Sequence, residues 1–157
     1  IYANLSYKGF SANILFQGAT SRDMYIEDVV RGQSTGGYTM VYPYQLDYWM
    51  PDNTDAKFPR IAMNSSVNGN NNYVTSDFWL VNGRYIRLKS LQLGYDFRSV
   101  LLKNIKWLYK CQVVLSGQNL FTISPATKYG FDPENGSTNN YDYPMQRVYA
   151  ISLNLGF

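Results

Sequence analysis

The residues able to do chemistry are few, and their spacing does not suit catalysis. Asp132 and Glu134 lie in Asp132-Pro133-Glu134-Asn135-Gly136. Carboxylates and carbonyls are calcium ligands, but this spacing is not that of the EF-hand loop. Asp-Pro and Asn-Gly are ordinary turn formers, so a turn is the expectation here. The same holds for Asp52 and Asp55. Two acids on one turn also do not flank a glycosidic bond as a hydrolase pair must. The chain has no His, which excludes His-based metal sites and Ser-His or Cys-His catalysis within it. Its single Cys111 excludes an internal disulfide framework. Neither an enzyme nor a cofactor is expected.

Contact chemistry is better represented. Of 157 residues, 17% are aromatic, 15 of them Tyr, and only 16% are charged, against roughly 25% charged in typical soluble domains. Many Tyr and few charges suit surfaces that are half apolar and half wet, such as membrane interfaces or sugar-binding faces. Tyr42, Tyr44, Tyr48 and Trp49 are the candidates for touching a sugar ring or a partner protein, or for packing the core of their own loop. Arg87, Lys110, Gln112 and Gln118 are candidates for lining a wet channel. The net charge of +3 comes without a basic run, and nucleic acid is not an expected partner.

The elements that must position these residues are strands. Residues 146–157 place Tyr149, Ile151, Leu153, Leu155 and Phe157 in one file and Ala150, Ser152, Asn154 and Gly156 in the other. Side chains alternate across a strand, so this strand has one greasy and one wet face. The same alternation runs near 1–8 and 10–18, with Lys8-Gly9 as a tight hairpin turn. It returns near 78–97 and 109–121, where Cys111 falls in the apolar file as a small hydrophobe. In the 78–97 stretch Ile86 and Leu88 are out of phase with Leu91, Leu93 and Tyr95. Either one inserted residue restores a common face, which predicts a β-bulge close to Lys89-Ser90, or the strand begins near Ser90. Between the strands lie loops near 19–77 and 122–145. A short helical turn is expected near 23–31.

No apolar run reaches the ~18 residues of a membrane helix, but barrel strands need only ~9–11 alternating residues. The connections are very short, very long, moderate and long in turn. If each strand crosses a bilayer, the two long ones share a side, and the shorter ones share the other side with the last residue. Short periplasmic turns and longer extracellular loops are the pattern of outer-membrane barrels. Five strands alone would leave unpaired edges in lipid, so the remaining wall must come from elsewhere.

The stretch from Phe78-Trp79-Leu80-Val81-Asn82-Gly83-Arg84-Tyr85 to Leu93-Gly94-Tyr95 resembles the C-terminal barrel of a SusC/RagA-type TonB-dependent transporter of the Bacteroidetes outer membrane. So do Tyr48-Trp49 with Pro51-Asp52-Asn53 and Phe58-Pro59-Arg60, then Ser116-Gly117-Gln118-Asn119-Leu120-Phe121, Gly130-Phe131-Asp132-Pro133-Glu134, and Tyr143-Pro144 with Arg147. They occur in the family's order. The resemblance implies the last five or so antiparallel strands of an all-β barrel of about 22 strands, with long extracellular loops and a periplasmic C-terminus. It implies import of oligosaccharides or peptides, with a SusD-like surface lipoprotein as lid. TonB acts through a region that this chain lacks, as it lacks the plug and most of the barrel. The closing strand, Tyr149, Ile151, Leu153, Leu155 and Phe157, then faces lipid and resembles an assembly signal.

Two other readings fit the composition: a soluble carbohydrate-binding β-sandwich and a non-transporting structural barrel. A sandwich has short regular turns, which the long loop near 19–77 opposes.

Overall fold

The computed structural model describes residues 1–26, 42–61, 71–72, 74–135, 143 and 145–157. Seven strands occur among them: β1 (Tyr2–Tyr7), β2 (Phe10–Ala19), β3 (Asp23–Tyr25), β4 (Leu80–Asn82), β5 (Tyr85–Asp96), β6 (Lys110–Ile123) and β7 (Val148–Gly156). They belong to two separate units. The first comprises residues 1–19, 85–123 and 145–157; the second comprises 20–84 and 124–144.

The first unit is one antiparallel sheet in the order β1-β2-β5-β6-β7. Its edges, β1 and β7, are open among the described residues. The hairpin between β1 and β2 turns on Lys8 and Gly9, with φ of 45° and 85°. Two consecutive left-handed residues match the twist of the flanking strands, and Gly is the residue that adopts this conformation most readily. Gly9 also lies against a short helix, α1 (Phe97–Val100). A Cβ at Gly9 would come within 2.6 Å of the Val100 side chain. The Asp96 carboxylate caps α1 by accepting from the Arg98 and Ser99 N–H groups, while the Asp96 N–H donates to the Gly9 carbonyl at 2.8 Å.

The register steps at Lys89. Leu15 pairs with Ser90 and Phe16 with Leu88, so Lys89 is an extra residue of β5 relative to β2. On the other side Ser90 pairs with Gln118 and Leu88 with Phe121, so Lys89 faces two residues, Asn119 and Leu120. Asn119 takes a left-handed φ of 52°, and its side-chain amide donates to the Gln146 carbonyl at 3.0 Å. The surplus therefore grows from one strand to the next across β2, β5 and β6. The single insertion in β5 moves Leu88 and Ile86 onto the face of Leu91, Leu93 and Tyr95, as the phase change in the sequence requires.

The second unit has its own core of Met24, Ile26, Phe58, Trp79, Val81, Ala126 and Phe131. Here β3 and β4 form a two-stranded antiparallel sheet pairing Met24 with Val81. Two expectations are corrected. The apolar stretch 78–97 is not one strand, because β4 and β5 lie in different sheets. The break is at Gly83, where a Cβ would strike the Met24 side chain at 2.6 Å and where the N–H donates to the Arg22 carbonyl at 2.7 Å. Residues 23–25 are strand rather than helix, because their backbone pairs with β4. The rest of that expected helical turn, 27–31, lies outside the described residues.

Candidate functional site

Pairing partners share a face, so the register assigns both surfaces of the sheet. One carries Leu5, Ala12, Leu93, Leu115 and Ile151 as a single rung, with Tyr7, Phe10, Tyr95, Val113 and Leu153 as the next. Beyond the bulge Phe16, Leu88 and Phe121 continue it, with the Phe16 and Phe121 rings 6.2 Å apart and edge-on. This face is apolar from end to end and largely exposed, Ile151 to 77% and Leu153 to 60%. An open apolar face of this extent marks a surface meant to be covered.

The opposite face carries Asn4, Asn13, Gln92, Ser116 and Ala150 as one rung and Ser6, Ser11, Gly94, Val114 and Ser152 as the next. Lys110, Gln112 and Gln118 fall on it, opposite Gly156, Asn154 and Val148 of β7. Arg87 falls on it too, but is buried, and its Nε donates to Thr122 Oγ1 at 2.7 Å. Strands β2, β5 and β6 are 10, 12 and 14 residues long, enough for a tilted strand to cross a bilayer.

The files of β7 fall as the alternation predicts. Tyr149, Ile151, Leu153 and Leu155 lie opposite Gly117, Leu115, Val113 and Cys111. The Phe157 ring stacks on Trp107. Tyr109 donates its N–H to the Gly156 carbonyl at 3.0 Å, and a Cβ at Gly156 would meet its ring at 2.7 Å.

In the second unit the candidate contact aromatics separate. Tyr42, Tyr44 and Tyr48 are half-buried against the core, with Tyr42 and Tyr44 stacked 5.9 Å apart and Tyr44 edge-on to Tyr129 at 5.2 Å. The turn that places Tyr44 closes through the Tyr42 N–H, which donates to Gln45 Oε1 at 2.7 Å. Burial, with Tyr42 and Tyr129 close by, raises the Tyr44 phenol pKa well above its ordinary value. Burial opposes ionisation of Tyr129 as well. The Lys57 ammonium, 3.0 Å from its hydroxyl, outweighs burial together with Lys128 and lowers that pKa. Trp49 is the most exposed of the candidates, at 39%. It borders a cavity of about 570 Å³ with Phe58, Arg60, Phe78 and the buried Trp79. Phe78 and Arg60 were not singled out as contact residues by their sequence. Their one signal was membership of the stretches Phe58-Pro59-Arg60 and Phe78-Trp79.

Two of the acids, Asp132 and Asp47, accept hydrogen bonds within their own loops. Asp132 Oδ1 accepts from the Glu134 N–H at 2.9 Å, and Asp47 accepts from the Lys57 N–H and the Asn53 amide. Among the described residues no group of three acidic, Cys or His side chains is placed to hold a metal.

No family model matches the chain. Two receptors of Formosa agariphila do, over nearly its whole length. TonB-dependent receptor P3 is 27% identical across 98% of the chain, and TonB-dependent receptor P39 is 27% identical across 96%. Solved structures of the RagAB peptide importer share the fold. The open-open state matches 97% of the chain with a TM-score of 0.68 at 24% identity, and the closed-closed state matches with a TM-score of 0.65. The chain is thus similar over nearly its whole length to TonB-dependent receptors, and it shares the fold of the RagAB importer chains. It spans about 16% of the length of the P3 receptor and 15% of P39. Within a receptor of this type the five-stranded sheet is part of a larger barrel wall, which accounts for its open edges.

Proposed function

We propose that this chain supplies barrel wall and extracellular loops to an outer-membrane transporter that imports oligosaccharides or peptides, energised through TonB and closed by a SusD-like surface lipoprotein. The observation that carries the reading is the unbroken apolar face, kept in phase across Lys89 by an inserted residue. A sheet with one continuous greasy face, one polar face and open edges is what a large membrane barrel needs of its wall. A soluble sandwich would bury that face against a second sheet.

On this reading Lys110, Gln112 and Gln118 line the lumen, with Arg87 bonded along its wall. Tyr149, Ile151, Leu153, Leu155 and Phe157 face lipid, and the last residue lies on the periplasmic side with the β1–β2 hairpin. The second unit is extracellular, and Trp49 with Phe78 is the aromatic pair available to lid or substrate. Tyr42, Tyr44 and Tyr48 support that surface from beneath.

The test uses the intact receptor. Heat-modifiable migration on SDS gels establishes the barrel. Uptake of labelled oligopeptides and oligosaccharides, abolished when TonB is deleted, establishes transport and its class. Deleting the tip of the 19–77 loop is expected to reduce co-purification of the lipoprotein. Unchanged co-purification would remove the docking role from this loop.

A further inference from the structure

The charges divide unevenly between the two units. Of the chain's 14 basic and 11 acidic residues, eight basic and one acidic lie in the strand unit, leaving six and ten for the other. Five of those eight lie at the hairpin end of the sheet; Lys110 belongs to the polar file, and Lys8, Arg98, Lys103 and Lys106 are left for the rim of the apolar face. The one acid there, Asp96, has a carboxylate committed to capping α1. At this same end the apolar face is recessed. A cavity of about 600 Å³ lies over Ala12, walled by Leu5, Tyr7, Phe10, Leu93 and Tyr95, a volume within the ~300–1,000 Å³ usual for ligand sites. Ala12 makes the depression, because it is the small residue in a rung of Leu5, Leu93, Leu115 and Ile151. The Lys8 ammonium sits over the ring of Tyr7, 5.2 Å from its centroid, and so stands beside the recess wall.

We infer that this recess seats one acyl chain of an anionic glycerophospholipid, with Lys8 and the neighbouring basic residues holding its phosphate. The inference rests on the barrel reading above, since only a wall facing lipid offers the recess to an acyl chain. Two features make the occupant a lipid: an apolar slot one small side chain deep, and a net positive rim beside it with its acid internally bonded. Aromatic rings at such a rim sit at headgroup level, where an amphipathic ring is at home. Each basic residue near an anionic headgroup contributes on the order of 1 kcal/mol.

The experiment is native mass spectrometry of the intact receptor, purified in detergent and titrated with dioleoyl phosphatidylglycerol or dioleoyl phosphatidylcholine. The wild-type receptor is expected to retain phosphatidylglycerol in preference to phosphatidylcholine. Ala12→Trp, which fills the recess from its open side, is expected to abolish retention. Lys8→Gln is expected to weaken it about fivefold for phosphatidylglycerol alone. Retention by Ala12→Trp at the wild-type level would overturn the site. Equal retention of the two lipids would overturn the headgroup assignment. So would an acidic protein co-purifying through Lys8 while lipid retention stays unchanged. Heat-modifiable migration of each variant is measured in parallel. Its loss in the wild-type receptor would count against the barrel reading itself, whereas its preservation with no lipid retained would count against this site alone.

Discussion

Trp107 and Phe157 lie face to face, their ring centroids 5.7 Å apart and their planes 9° from parallel. The pair ties the connector before β6 to the residue after β7, beside the Tyr109–Gly156 hydrogen bond. Stacked aromatic pairs contribute about 0.5–1.5 kcal/mol beyond the area they bury. Phe157→Ala is expected to lower the amount of assembled receptor in the outer membrane while leaving uptake per assembled molecule near wild type. Trp107→Ala should reproduce a part of the loss. Surface labelling normalised to total protein measures the first quantity, and normal surface abundance of Phe157→Ala would refute the expectation.

Deleting Lys89 should leave the apolar face intact. With Lys89 removed Ser90 follows Leu88 directly, and plain alternation keeps Ile86 and Leu88 on the face of Leu91, with Leu88 still opposite Phe16. The whole surplus then falls on β6, where Asn119 and Leu120 face no residue of β5. The deletion variant and Lys89→Ala are both expected to keep the heat-modifiable barrel, and loss of the barrel on deletion alone would show that the step toward β6 needs the extra residue in β5.

Trp79 is 1% exposed at the centre of the loop unit, and its Nε1 donates to the Asn72 carbonyl at 3.2 Å. Trp79→Ala should cost about 3–5 kcal/mol of local stability. The expected result is rapid proteolysis within 42–84 in a receptor whose barrel still migrates as folded. Loss of the barrel signal would mean that the strand unit depends on this core.

Tyr44 and Tyr129 should titrate in opposite senses. Tyr44, with its pKa raised by burial, stays protonated in the folded loop at a pH where the unfolded chain has ionised. Its contribution to stability is full below about pH 10 and is lost as pH rises from there toward the folded value. Tyr129, with its pKa lowered by Lys57 despite its burial, ionises first, so its contribution grows as pH approaches the ordinary tyrosine range. Near-ultraviolet absorbance titrations of wild type against Tyr44→Phe and Tyr129→Phe measure this. The Tyr129→Phe variant should lose the earliest ionising component, and Tyr44→Phe a late one.

The sheet was legible because alternation is a strong signal where one face must be greasy. The β5 insertion was legible for the same reason: an odd number of extra residues leaves the apolar parity changed between Leu88 and Leu91. The larger excursion at Asn119 and Leu120 was not. In β6 the surplus over β2 is even, so Leu115 and Phe121 stay in phase and the sequence shows no break. The pairing of β3 with β4 was hidden because three residues per strand are too few to alternate. Trp79 and Val81 also read as the start of the strand that follows. In the loop unit the aromatics announced an ordered core but not its division into inner and outer members. Tyr44 lies inward through its ring contacts with Phe58, Tyr129 and Phe131, residues 14 to 87 positions away in the chain, which no local pattern announces.

Alternation protects a sheet only against slipping by one residue, because a slip of two returns every side chain to its proper face. The stepped surplus at Lys89 and Asn119 removes that second freedom. A two-residue slide of β2 along β5, or of β5 along β6, would carry the insertion in Lys89 and the left-handed backbone of Asn119 past regular pairs that cannot take them. The steps act as a vernier that leaves the staves one alignment, so the stagger of the wall is set by these two positions as well as by its greasy face.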